Sequence, residues 1–129
     1  LRSRNEILLS QVETLVPLAD LAGGLAAEPA LAPFIEGLVE ALHMILETLA
    51  ESMADPDPTG VELLRGMTGD RGEVVEGMRR GVVADRTGLS SQSQEDLLRL
   101  TGLFERCIWL TGRLSRLIET EDRSIPDAA

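Results

Sequence analysis

Glu36 and Glu40, and again Glu47 and Glu51, stand four residues apart. On a helix that spacing puts two carboxylates on one face, where they could share a cation. A di-metal carboxylate bundle also needs paired Glu-x-x-His motifs, which a single histidine, His43, cannot furnish. Asp55-Pro56-Asp57 does not continue into a glycine-centred calcium loop. The acidic pairs therefore read as a solvated face. An imidazole has the chemistry of a general base, yet no nucleophile stands near His43 in sequence, and it reads as a helix-surface residue. Cys107 lies between apolar helical positions and reads as a small buried hydrophobe, since a catalytic thiolate needs an activating base that Arg106 does not provide. Gly69-Asp70-Arg71-Gly72-Glu73 lacks the Lys-Ser/Thr ending of a phosphate loop and reads as a helix break carrying a surface ion pair.

Further residues have the chemistry of contacts. Arg71 would meet Glu105 if the third and fourth helical tracts pack closely, a pairing that burial would make costly without further hydrogen bonds. Arg79, Arg80 and Arg86 form the one notable positive patch, suited to solvating a helix end and, less simply, to an anion or a membrane-proximal contact. Trp109, with Phe34 and Phe104, completes the aromatic complement. The phenylalanines fall on core stripes, whereas Trp109 falls beside one, covering an interhelical seam or meeting another chain. No catalytic, cofactor-binding or metal-ligating set emerges. The structural or interface candidates are Arg71, Arg79, Arg80, Glu105, Arg106 and Trp109.

The whole chain must position these groups. Its 129 residues make one domain of ordinary size, and a hydrophobic fraction of 43% suffices for a core. With 22 acidic against 12 basic side chains, a formal charge of -10 repels phosphate backbones, which argues against nucleic-acid binding. One cysteine excludes an internal disulfide. No apolar stretch approaches the roughly 20 residues of a membrane span. Leu1-Arg2-Ser3-Arg4 has neither an initiator methionine nor a signal-like run, as expected of a piece of a longer polypeptide.

Four tracts carry helical periodicity. The first, Ile7 to about Leu25, places Ile7, Leu8, Val12, Leu15, Val16, Leu18 and Leu21 at three- and four-residue intervals. Pro17 should kink or divide it, and Gly23-Gly24 should bend or stop it. The second, about Leu31 to Met53, has a continuous apolar stripe opposite its glutamates and should end before Asp55-Pro56-Asp57-Pro58. The third starts at a Thr59/Glu62 capping box, or one turn earlier at Asp57-Pro58. It runs toward Val82 or breaks near Gly69-Asp70, weakened by Gly66, Gly69, Gly72, Gly77 and Gly81. The fourth, capped by Ser91 with Gln94 or Ser93 with Asp96, uses Leu97, Leu100, Phe104, Cys107 or Ile108, Leu114 and Leu117 or Ile118, and frays near Ser124-Ile125-Pro126. The expected fold is an all-α antiparallel bundle of three to four main helices.

Leu63-Leu64-Arg65-Gly66-Met67-Thr68-Gly69-Asp70-Arg71, followed by Leu97-Leu98-Arg99-Leu100-Thr101-Gly102-Leu103-Phe104-Glu105-Arg106-Cys107-Ile108-Trp109-Leu110, resembles the soluble PhoU-like helical domain of bacterial sodium/phosphate cotransporter-type membrane proteins. The resemblance covers roughly the last two-thirds of the chain. It implies a PhoU-like bundle and a noncatalytic regulatory or scaffolding domain of a transporter for phosphate or another anion. The partner would be the membrane domain of the same polypeptide, on the cytoplasmic side of the inner membrane, with a homo-oligomer left open. Glu105-Arg106 is similar to the start of the family's carboxylate-arginine motif, but Trp109 stands where its aspartate belongs, so no metal site is carried over. The alternatives are a free-standing helical adaptor and an enzyme with a carboxylate or Cys/His site.

Overall fold

Apolar residues at three- and four-residue spacing wind each tract into a helix with one buried stripe, and four such stripes share a core. The computed structural model describes residues 4–55, 57–69, 80 and 89–124, the side chains of 119–124 excepted. Among them lie α1 (Arg4–Leu25), α2 (Ala32–Ala54), α3 (Pro58–Gly69) and α4 (Ser91–Ser124), with no strand. None of these helices is long and apolar enough to cross a membrane. The expected extension of the third tract through Val74, Met78 and Val82 lies outside the described residues.

The buried stripe of α1 is Ile7, Gln11, Thr14, Leu18, Ala22 and Leu25. This corrects the expected stripe at two places: Val12 and Val16 are 55% and 59% exposed, and polar Gln11 and Thr14 are buried in their stead. Apolar residues occur all round α1, so its own periodicity does not choose a face, and the choice falls to partners on α4. Nor does Pro17 divide the helix, which runs unbroken for 22 residues. The missing donor would have bonded the carbonyl of exposed Glu13, while Thr14 and Leu18 on either side of the proline are held in the core. Gly23-Gly24 lies in the last turn, after which the chain reverses through short backbone bonds such as Glu28 N–H to Leu25 O (3.1 Å) and Leu31 N–H to Glu28 O (3.0 Å).

α2 ends as expected at Asp55, whose N–H closes on Glu51 O at 3.0 Å. α3 takes the earlier of its two starts. Asp57 caps it by accepting the Thr59 N–H at 3.3 Å, with Pro58 as first helical residue, so Thr59 and Glu62 do not form the cap. α4 is capped by Ser90, one residue before the first expected choice and three before the second: its Oγ accepts the Ser93 N–H at 3.1 Å. With 34 residues, α4 is about 50 Å long and packs against all three other helices.

The directions follow from the pairings. Gln11 meets Thr111, Thr14 meets Arg106, and Glu28 meets Ser93, so α1 and α4 are antiparallel. Short connections make α1–α2 and α2–α3 antiparallel as well. α2 and α3 approach closely at Gly60, where an added Cβ would stand 3.2 Å from Ser52 Oγ. The core this bundle encloses holds Leu38, Leu42, Leu100 and Phe104 at 1%, 5%, 0% and 2% exposure, bearing out the apolar stripes expected for α2 and α4.

Leu100→Ala should lower unfolding free energy by about 2–5 kcal/mol, because it empties a fully buried site in the shared core. Val16→Ala, also on an apolar periodic position but on the outside, should cost less than about 0.5 kcal/mol. Urea titrations of the two variants compare these outcomes directly.

Candidate functional site

The groups with catalytic chemistry are kept apart. His43 lies on the outer side of α2, its side chain 79% exposed and its Nε2 3.4 Å from Glu47 Oε2. Cys107 lies on the inner side of α4 with no exposed surface. A solvent-side imidazole and a core thiol do not make a nucleophile–base pair. Glu36, Glu40, Glu47 and Glu51 are all exposed along α2, and among the described residues no three His, Cys, Asp or Glu side chains are grouped to hold a metal ion. Burial pushes the Cys107 thiol up from 9.0 to about 11, with the Arg106 guanidinium pulling weakly the other way. At neutral pH it is a protonated, small apolar group in the core.

Around that thiol lies a polar layer that periodicity did not reveal. Gln11 Nε2 donates to Thr111 Oγ1 at 2.8 Å and to Cys107 O at 3.2 Å. The Thr111 hydroxyl donates in turn to Cys107 O at 2.8 Å. One turn along α1, Thr14 donates to Ser10 O at 2.8 Å and accepts Arg106 Nε at 3.3 Å. Gln11 Oε1 is buried and accepts no bond from any described residue. The layer ties one turn of α1 to one turn of α4, and sliding the pair by a turn would strand the Gln11 amide in an apolar core. The available signal was Gln11 and Thr14 falling between Ile7 and Leu18 at spacings of four, three and four.

A second polar junction joins the α1–α2 turn to the start of α4. The Ser90 hydroxyl donates to Ser93 Oγ at 3.0 Å, and the Ser93 hydroxyl donates to the Glu28 carboxylate. The positive end of α4 favours an anion at this place, so Glu28 acts as an intramolecular clamp. Both junctions are occupied by the chain's own groups.

The remaining candidate is the outer face of α4. Leu98, Gly102, Glu105, Trp109, Arg113 and Arg116 succeed one another at three- and four-residue steps on the side away from the core. Trp109 is 52% exposed and Leu98 47%. The Arg113 guanidinium lies 5.1 Å from the indole centroid. Such a stack is worth about 0.5–1 kcal/mol at an exposed site, too little to account for leaving a tryptophan in water. Trp109 stacks with Arg113 on its own helix, and about half of its surface faces water. Arg106 is exposed beside it, Glu105 is half-buried, and Arg80 is exposed. Arg71 and Arg79, and with them the Arg71–Glu105 pairing and most of the Arg79-Arg80-Arg86 patch, lie outside the described residues.

The chain's 12 basic residues are all arginines and it has no tyrosine, so between pH 9 and 11 Cys107 is the side chain left to titrate. Below pH 9 folded and unfolded chains both keep the thiol proton. Above it the unfolded chain releases the proton while the folded one holds it to about 11, so stability should fall across that window. The expected loss is on the order of 2–3 kcal/mol, and Cys107→Ala should abolish the slope, as read by denaturant unfolding at stepped pH.

No protein-family model, curated protein or solved structure matches the chain, so its place among the all-α bundles rests on the helices of its described residues.

Proposed function

We propose that this chain is a helical protein-interaction domain with a regulatory or scaffolding role, and that it works by presenting the outer face of α4 to a partner. The observation that carries this reading is Trp109, half in water with the Arg113 guanidinium over its ring and exposed Arg106 three residues before it. Tryptophan and arginine are the residues on which interface binding energy concentrates. The inner face of the same helix is rigidly held by the Gln11–Thr111 bond and the Ser93–Glu28 clamp. Force applied at Trp109 would therefore reach α1 and the α1–α2 turn as a rigid-body shift of packed helices.

The resemblance of residues 63–71 and 97–110 to PhoU-like domains gives this reading a specific form. In it the partner is a transporter's membrane domain, the cargo is phosphate or another anion, and the domain sits on the cytoplasmic side of the membrane. Chemistry on a substrate is the weaker alternative, since Cys107 is a protonated core residue and His43 stands in solvent on another helix.

A photo-crosslinking amino acid placed at position 109 in the native host tests the proposal. A discrete adduct should form there and should not form from exposed position 62 on α3. Recovery of that adduct with an integral membrane protein supports the transporter form. Equal, diffuse labelling from both positions would overturn the interaction reading.

A further inference from the structure

The outer faces of α2 and α4 carry opposite charge at matching intervals. α2 contains no arginine, and its exposed side bears Glu36, Glu40, Glu47 and Glu51 together with Val39 and Met44, which are 44% and 59% exposed. The outer side of α4 bears exposed Arg99, exposed Arg106, whose Nε also donates to Thr14, and half-buried Arg113 against Trp109, which together with Arg116 outnumber the carboxylates of Glu95 and Glu105 there. Glu40 and Glu47 are seven residues apart, as are Arg106 and Arg113, which is about 10 Å along either axis. Laid antiparallel, the two faces align Arg113 with Glu40, Trp109 with Met44, and Arg106 with Glu47, because the intervening steps of four and three residues are the same on both helices. The alignment sets an aromatic ring on a thioether between two guanidinium–carboxylate pairs. The parallel alignment puts the polar ring of His43 opposite Trp109 and leaves Met44 unused.

Within one molecule these faces cannot meet. α2 and α4 turn their leucine stripes inward to a common core, so their outer faces look away from each other. We propose that the Trp109 face of α4 docks on the Glu40–Met44–Glu47 face of α2 in a second copy of this chain. The inference rests on reading the α4 face as an interaction surface, and it names the occupant. A two-fold pairing of like faces would set arginine on arginine or glutamate on glutamate. The contact is therefore head-to-tail, and each docked pair still offers one free face of each kind, so assembly continues past the dimer. A charge of -10 on every copy keeps the association weak.

Sedimentation velocity of the full chain, from micromolar to about 1 mM, should show assembly growing with concentration beyond the dimer. Trp109→Ala with Arg113→Glu removes one face, and Glu40→Lys with Glu47→Lys removes the other. Each double variant alone should be monomeric, with apparent association reduced at least about tenfold. An equimolar mixture retains one working face on each partner and should give 1:1 dimers and nothing larger. Circular dichroism checks that the helices persist. If the α4 variant loses them, the α2 variant, altered only at exposed positions, carries the test by itself. A monomeric wild-type chain throughout, wild-type assembly by either variant, or a mixture that stays monomeric would each overturn the inference. If the wild-type chain is monomeric yet position 109 crosslinks to a different protein in the host, self-docking fails and the interaction reading stands. If the chain assembles and both double variants assemble equally well, self-docking through these faces fails, and the interaction reading fails with it only if position 109 also labels as diffusely as position 62.

Discussion

Burial of the inner stripe of α4 is the constraint to which the other helices answer. Leu97, Leu100, Phe104, Cys107, Ile108, Leu110, Leu114 and Ile118 run the length of the helix, and each large apolar side chain is worth about 1.5–3 kcal/mol when withdrawn from water. No isolated helix of this sequence could hide that stripe. α1, α2 and α3 each cover part of it, and their relative directions follow from doing so. The same burial offsets what is locally unfavourable: a proline inside α1, polar groups in the α1 seam, and glycines in α3 that see no neighbour within 4 Å at Gly66 and Gly69.

Apolar burial is indifferent to small slides of one helix along another; hydrogen bonds are not. Gln11, Thr111 and Cys107 O define one axial position of α1 on α4, and Glu28 with Ser93 defines a second, near the other end of the contact. Two fixed points determine a line, so the antiparallel pair has one register. Gln11 Oε1, which accepts no bond among the described residues, is tolerated in the seam because its amide nitrogen is satisfied twice.

Much of this is legible in the sequence. α2 and α4 declare themselves because their apolar residues occupy one side only, and the prolines at 56 and 58 end one helix and seat the next. α1 is the exception, being apolar on every side: Leu9, Val12 and Val16 satisfy a helical period as well as the true seam does, and only hydrogen-bonding partners on another helix decide the matter. Pro17 fails to divide that helix because its cost is local while the packing that overrides it is distant in sequence. α3 takes one of the two starts expected for it, whereas the cap of α4 is missed by one residue or three, since serines at 90, 91 and 93 are equivalent as caps until the path of the preceding chain is known. Of the candidate groups, Cys107 falls in the core as its neighbours imply. The placement of Trp109 on the outer side of α4 is foreshadowed only by its lying off the stripe.

The bond from Ser93 to Glu28 spans 65 positions of chain. It closes α2, α3 and the connection from α3 to α4 into a single excursion that leaves from and returns to one end of the α1–α4 pair. The entropy of such a closure grows only logarithmically, so doubling its length costs about 0.6 kcal/mol. Insertions made within the excursion, away from the helices that line the core, would leave the long pair standing as a chassis onto which new segments can be grafted.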